Sequence, residues 1–321
     1  MKTMNEAKEV KKTSLALIRE CFFEQELLSL NDIREKTSLS HGAVVSGVKK
    51  LEEDKEIVLS AKSGSSVGRK THLYSLNPDS FCGAMIFIGR NEKTSTIRYL
   101  TVMCDLSGVF HEERVRESDT YDLKDLKSVI DEAVENNPEI GMILISSPGV
   151  CMDGVIRNKP FFEADAASLI KSHSLSWAVE NDVNTACIGF HSLQKGIDDL
   201  AFVYQAKADV FGCGMMIHGA LYNGFAHAAG ELRYFPFMRY AKEKTAEELL
   251  KEQILSVAAL MNPECIAYYS ENVKDDIDLS GQMPGEVLPA IVRADDFYEL
   301  QKKGLYAVMK QHVLTKRGST K

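Results

Sequence analysis

The sequence predicts an α/β protein in two parts. A small helical N-terminal segment is closed by a β-hairpin, and a larger body follows in which one strand-and-helix plan occurs twice. Three observations predict this. Ser29 and Ser40 each stand just ahead of a short apolar-periodic run, where helix caps belong. A basic, glycine- and serine-rich loop over 62–70 separates two strand-like runs. Beyond residue 79, strand-like runs give way to helical periodicity once over 83–145 and again over 200–312.

Composition narrows the class. The 321 residues are 45% hydrophobic and 26% charged, as in a globular chain of two or three domains. No apolar run approaches the ~20 residues that cross a bilayer. The first residues also lack the apolar segment of a secretory signal, so a cytoplasmic location is expected. Seven scattered cysteines without a Cys-x-x-Cys pair fit reduced thiols rather than a disulfide framework. The net charge of -8 hides an asymmetry: residues 1–76 carry 13 Lys and Arg against 11 Asp and Glu, while the rest carries 25 against 35. Only the head has a balance that suits nucleic acid.

Within the head, Leu15, Ile18 and Phe22 recur on one face of a helix expected over about 6–23. Ser29 opens a second helix with Asp32 as its capping-box partner and Ile33 facing inward. Thr37-Ser38-Leu39 makes a turn. Ser40 caps a third helix whose Val44, Val48 and Leu51 form the inward stripe. His41, Gly42, Ala43, Val45, Ser46, Lys49 and Lys50 are left facing outward. The alternative is an ordinary three-helix bundle with a solvated face. The strands expected at 57–59 and 71–76, with the basic loop between them, read instead as a wing. The head is therefore a winged helix-turn-helix, whose third helix suits the major groove of a double-stranded DNA operator. Lys49, Lys50, Lys62, Arg69 and Lys70 would supply salt-dependent phosphate contacts. His41, Ala43, Val45 and Ser46 would meet base edges, with Ala43 or Val45 suited to a thymine methyl. This face carries no arginine for the bidentate contact to guanine.

The turn Asn77-Pro78-Asp79 separates the head, 1–78, from the body, 79–321. Strands are expected at 83–88, 96–103 and 109–115, a helix at about 123–134, and a strand at 140–145. The second half gives strands at 200–204, 212–217 and 220–222, with helices near 246–260 and 295–312. Between the halves, Trp177 to Val179 run into Glu180-Asn181-Asp182-Val183-Asn184 and then into small apolar residues. That reads as a buried strand, a polar turn and a helix. Ligands of α/β folds sit at the carboxyl ends of strands, so Asn181 and Asp182 stand where a polar ligand is held. They also stand where a helix cap belongs, and both readings remain open. His111, His173 and His191 show no partner spacing. His218 and His227 flank the second hairpin.

Several motifs in order resemble the ROK family (repressors, uncharacterised frames and sugar kinases). They are Val67-Gly68-Arg69-Lys70 with Leu76-Asn77-Pro78; Asp105-Leu106-Ser107-Gly108; Ser147-Pro148-Gly149-Val150; Glu180-Asn181-Asp182-Val183-Asn184; and Ile217-His218-Gly219-Ala220-Leu221-Tyr222-Asn223-Gly224, leading to Ala229-Gly230-Glu231. A weaker match continues through Met261-Asn262-Pro263-Glu264. The resemblance implies a winged-helix head on a two-lobed, actin-like sugar-kinase body. Its first lobe would span about 79–185 and its second, with dimerisation helices, 186–321.

The departures shape the expected function. The family's first phosphate loop, Asp-x-Gly-Gly-Thr, corresponds to Ile88-Gly89-Arg90-Asn91-Glu92-Lys93, without the acid or the glycine pair. The second corresponds to Ala208-Asp209-Val210-Phe211-Gly212-Cys213-Gly214, where Asp209 would repel phosphate. The glycine pair that seats adenosine is replaced by Tyr268-Tyr269-Ser270. In Gly230-Glu231-Leu232-Arg233-Tyr234, Tyr234 stands where a sugar- and zinc-binding histidine is usual, and the cysteine-rich zinc loop is missing. Neither ATP nor zinc is expected as a cofactor. Gly149, Asn181, Asp182, Glu231 and Tyr234 remain as a candidate polyol site. In the family's kinases the residue matching Asp182 is the base.

The resemblance thus implies a homodimeric DNA-binding transcriptional regulator of repressor type, not an enzyme, with a sugar or sugar phosphate as effector. A ligand-independent DNA-binding dimer with a scaffold body is an alternative. An active ATP-dependent sugar kinase with an accessory head is another.

Overall fold

A computed structural model describes residues 13–63, 71–90, 94, 96–120, 122–158 and 162–316. The chain forms two compact units. The first comprises the described residues of 1–82, 105–109 and 310–321; the second comprises those of 83–104 and 110–309.

In the first unit, α1 (Ser14–Glu24), α2 (Leu30–Thr37) and α3 (His41–Glu53) precede the antiparallel hairpin of β1 (Ile57–Ser63) and β2 (Thr71–Leu76). The helices begin where side chains supply their orphan N–H partners. Ser29 and Asp32 form a reciprocal capping box, and Ser40 accepts from the Ala43 N–H. Ser38, left-handed at φ 56°, ends α2 and sets the turn. Ile18, Phe22, Leu28, Ile33, Val44, Val48, Leu51, Ile57 and Tyr74 make one core. Leu28 also exchanges backbone bonds with Tyr74, so the segment before α2 joins the hairpin. Arg19 lies within this core and grips Glu56 through two bonds, Nε to Oε2 at 2.6 Å and a second nitrogen to Oε1 at 3.0 Å. That ion pair ties α1 to the residue just ahead of β1. The side chains of Phe81 and His312 meet in the same unit, and the Lys310 ammonium lies over the Phe23 ring.

The second unit holds two five-stranded mixed sheets built on one plan. The first contains β3 (Cys82–Arg90), β4 (Ile97–Asp105), β5 (Phe110–Ser118), β6 (Ile140–Ser147) and β10 (Ser176–Asn181), in the order β10-β6-β3-β4-β5. Between β5 and β6 lies α4 (Leu123–Asn136), which buries Leu126, Val129, Ile130 and Ala133 as one stripe. Residues 150–171 carry no element in the sequence reading. They form a small antiparallel sheet of β7 (Val150–Met152), β8 (Val155–Asn158) and β9 (Phe162–Asp165), then α5 (Ala166–Lys171).

Helix α6 (Asp182–Leu193) leads to the second sheet. Its strands are β11 (Leu200–Lys207), β12 (Val210–Ile217), β13 (Ala220–Leu221), β14 (Cys265–Ser270) and β15 (Ala290–Arg293), in the order β13-β12-β11-β14-β15. In both sheets antiparallel strands are extended by parallel ones: β10 lies parallel to β6 in the first, and β14 to β11 and β15 to β14 in the second. One face of the second sheet packs α6 through Val183, Ala186, Cys187 and Phe190. The other packs α7 (Ala246–Met261) through Leu249, Leu250, Ile254 and Val257. The last helix, α8 (Phe297–Lys316), crosses α6 at a glycine pair. A Cβ on Gly189 would lie 1.9 Å from the Leu300 carbonyl oxygen, and one on Gly304 would lie 1.9 Å from that of Thr185. Only glycine permits so close a backbone approach.

One expectation needs correction. Trp177 to Val179 do not form a buried strand: β10 is a sheet edge, and all six of its residues are half-buried. All seven cysteines are free thiols. Among the described residues, no helix is long and apolar enough to cross a membrane.

Candidate functional site

Helix α3 presents the face expected from its pattern. Val44, Val48 and Leu51 are buried; His41, Val45, Ser46, Lys49 and Lys50 are exposed, and Ala43 is half-buried. The lysines are not bare cations. Lys50 donates to Asp54 at 2.7 Å and Lys49 lies 3.7 Å from Glu53, each one turn on. Lys62 lies near the end of β1, and Arg69 and Lys70 fall outside the described residues.

No separate turn follows β10: the strand runs directly into α6, and that junction is both a cap and a convergence of polar groups. Asn181 caps α6, its Oδ1 accepting from the N–H of Val183 at 3.0 Å and of Asn184 at 3.1 Å. Its Nδ2 donates to the Gly149 carbonyl at 2.9 Å and to Asp182 Oδ1 at 3.1 Å. Asn181 thereby joins Gly149, Asp182 and the helix start. Gly149 has φ +96°, and a Cβ there would meet the Arg157 carbonyl oxygen at 2.6 Å, so this loop requires glycine.

Protein atoms surround the Asp182 carboxylate, although an edge of the residue still meets solvent. Burial pushes its pKa up to about 6, and the nearby Glu231 carboxylate pushes the same way. Hydrogen bonds from the backbone and from Asn181 oppose the shift without cancelling it. Glu231 is itself paired with Arg233 at 3.0 Å. Tyr234 lines a pocket together with Glu231; it is 75% exposed, and its ring lies 5.0 Å from the Arg233 guanidinium.

Other residues complete this group. Glu180 Oε1 accepts from the Asn181 N–H at 2.8 Å and from Asn184 Nδ2 at 3.0 Å. Asn184 also donates to Asn223 Oδ1 at 3.2 Å, linking α6 to the segment after β13. Burial raises the Glu180 pKa, while the hydrogen bonds from Asn184 and Asn181 and the charge of His227 lower it. The four-residue spacing of Glu180 and Asn184 across a helix start is the only sequence signal for this pair. His173, read as lacking a partner, has one: its Nε2 lies 2.9 Å from Asp131 Oδ1. His218 is 89% exposed at its side chain.

The positions expected to match a nucleotide site are occupied differently. Gly212 and Gly214 are not in a loop but within β12, where α6 packs on them: their Cβ atoms would lie 2.8 Å from a Val183 methyl and 2.6 Å from Cys187 Cβ. Only Ala208 and Asp209 remain as a two-residue turn between β11 and β12. Behind that turn the buried Gln205 donates to the Ala208 carbonyl at 3.1 Å and to that of Ala246 at 2.9 Å. Ser270 donates to Gln205, and its oxygen accepts from the N–H groups of Asn272 and Val273. Tyr268 is buried, its hydroxyl accepting from Ile277. These residues do not fit a triphosphate, since the carboxyl ends of β11 and β14 are knitted together by side chains. The first phosphate-loop match extends into residues 91–93, which lie outside the described residues. Among the described residues, no three His, Cys, Asp or Glu are grouped to hold a metal ion.

The architecture is a winged-helix head with an α/β body of the ROK type. No protein-family model matches the sequence, and no curated protein matches it at a significant level. Solved structures do match. A ROK family transcriptional regulator, a homolog of the E. coli MLC protein, superposes with a TM-score of 0.69 at 14% identity, covering 94% of this chain and 96% of its own. A ROK family protein from Streptococcus pneumoniae TIGR4 in complex with sucrose gives 0.55 at 17% identity, covering 72% and 100%. A ROK family glucokinase from Streptomyces griseus in complex with glucose and AMPPNP gives 0.51 at 13%, covering 72% and 99%. At these identities the likeness is one of fold: the chain has the ROK fold.

Proposed function

We propose that the chain is a DNA-binding transcriptional regulator of repressor type, whose body binds a sugar or sugar phosphate without phosphorylating it. The observation that carries this reading is the end-to-end likeness to a ROK regulator, which extends over 94% of the chain, head included. In this reading residues 1–78 are the DNA-binding head and 79–321 the effector-binding and dimerising body. The exposed face of α3 enters the major groove, with His41, Ala43, Val45 and Ser46 toward base edges and Lys49 and Lys50 toward phosphates. Gly149, Asn181, Asp182 and Glu231, joined by Glu180 and Asn184, hold vicinal hydroxyls. The sucrose complex of a similar fold supports a polyol as the ligand class.

Kinases share the fold, so catalysis is the rival reading. The Gln205–Ser270 network and the two-residue turn at Ala208 and Asp209 disfavour it, because a transferred phosphate needs converging N–H groups. A gel shift with the chain's own upstream DNA, repeated across a panel of sugars and sugar phosphates, tests the proposal. A retarded band released by one member of the panel is the expected outcome. No retardation on any upstream fragment, or ATP-dependent phosphorylation of a hexose by the purified chain, would falsify it.

A further inference from the structure

We propose that the effector is a glycoside with an apolar aglycone: its sugar is held at the β10–α6 junction, and its aglycone enters an apolar pocket of the second unit. The inference rests on the polyol reading above and narrows its ligand from a sugar or sugar phosphate to one chemical class.

The pocket holds about 290 Å³ and is walled by Met215, Leu232, Phe235, Val257, Leu260 and Met261. That is roughly twice the ~150 Å³ that admits a benzene ring to an apolar cavity, so an aryl group fits with room for a substituent. Leu260 is 75% exposed, so the pocket meets solvent at that wall.

The pocket and the polar group at the start of α6 share one side chain. Glu231 lines the pocket, and its carboxylate is near enough to Asp182 to act on its charge. Cys213 also lines the pocket, and its N–H donates to the Gly230 carbonyl at 3.1 Å, which pins the residue before Glu231 to β12. The next residue, Gly214, packs on the start of α6: a Cβ there would lie 3.2 Å from the Asn184 Cα. Successive Cα atoms are about 3.8 Å apart, so Asn184 and the Cys213 wall are within roughly 10 Å of each other. An aryl glycoside spans that distance.

The walls decide the chemistry of the substituent. Among the described residues no Lys, Arg or His lines the pocket, and the carboxylate in its lining, Glu231, is paired with Arg233 at 3.0 Å. A phosphate there would lose its hydration without gaining a cation, and Glu231 would repel it. A bare hexose fails differently: hydroxyls set against Leu, Val and Met side chains give up water for no partner. An apolar substituent meets these walls with no unpaired polar group, while the sugar hydroxyls keep Asn181, Asp182 and Asn184 as partners.

Titration calorimetry on the full chain tests the assignment with matched methyl and phenyl glycosides, in both anomers, of glucose, galactose, mannose and xylose. Hexose 6-phosphates and phenol complete the set. For one sugar the phenyl glycoside should bind about tenfold tighter or more than the methyl glycoside, and tighter than phenol or the 6-phosphate. Leu260→Glu, at an exposed position, should remove that advantage and leave the affinity for the methyl glycoside within about twofold. Unchanged far-UV circular dichroism would show that the fold survives. Equal affinity within every methyl–phenyl pair, an advantage that persists in Leu260→Glu, or phenol bound as tightly as its glycosides overturns the inference. So does a 6-phosphate that binds tightest. A gel shift with the same probes separates the two readings. Release of operator DNA by a free sugar or a 6-phosphate, with no phenyl advantage, leaves the polyol-responsive regulator standing; no binding and no release by any probe removes both.

Discussion

Asp182 carries most of the chemistry available at the β10–α6 junction, and its energetics run against stability. Its pKa rises from the ordinary 3.8 to about 6, chiefly through burial. Between those values the folded chain holds a proton that the unfolded chain has released. Stability therefore falls as pH climbs through that window, and above it the cost is fully present. At about 1.4 kcal/mol per unit the ceiling is roughly 3 kcal/mol, and the solvent-facing edge of the residue reduces it. Asp182→Asn keeps the Oδ1 acceptor for Val183 and Asn181 while removing the charge. It should stabilise the chain by about 1–3 kcal/mol near pH 8 in denaturant titrations, with the gain fading on acidification toward the ordinary aspartate range. Equal gains at both extremes would mean that packing, not charge, sets the effect. A carboxylate kept where an amide is more stable is characteristic of a binding group. The motif around Asn181 and Asp182 was legible in the sequence, because caps and ligand-binding turns draw on the same polar residues. The burial of the Asp182 carboxylate was not, because it depends on which remote segments the fold packs around it.

At the scale of elements, α3 and the α6–α8 crossing make opposite demands. In the proposed regulator, helix α3 must stay open on one side. Lys49 and Lys50 are held by Glu53 and Asp54, pairs worth only about 0.2–0.5 kcal/mol each on an exposed helix. Phosphates can displace those carboxylates. Replacing both lysines by alanine should weaken operator binding and lower the steepness of its salt dependence by about 2, near 0.9 per lost phosphate contact. An unchanged salt slope would mean that another face of the head meets DNA. The α6–α8 crossing must instead stay closed. Gly304→Ala drives a methyl into the Thr185 carbonyl, at the helix that Asn181 caps. A loss of about 2 kcal/mol or more is expected in thermal or denaturant unfolding, because backbone cannot yield as a side-chain tip does. A variant as stable as the wild type would show that the helices part easily. Helix α3 was readable from its cap and its 3.6-residue period. The glycine crossing was not, since Gly189 and Gly304 are separated by more than a hundred residues and neither marks a turn.

For the whole molecule, the proposed regulator couples two sites, and coupling is reciprocal. If a sugar lowers operator affinity by some factor, operator DNA must lower sugar affinity by that same factor. Titration calorimetry with the released sugar, run with and without operator, should give affinities that differ by the factor seen in the gel shift. Identical affinities would leave the body as a scaffold for a ligand-independent DNA-binding dimer. The sequence by itself determined the capped helices of the head, the hairpin, the doubled strand-and-helix plan and the loss of the glycine loops. Each is written in local periodicity, in capping chemistry or in the presence of a particular residue, and needs no distant partner. Only the tertiary structure decided that Gly212 and Gly214 lie beneath α6 and that Gln205 and Ser270 knit two strand ends together. Those outcomes depend on which remote segments the fold brings within a few ångströms of one another, and local patterning does not encode that distance.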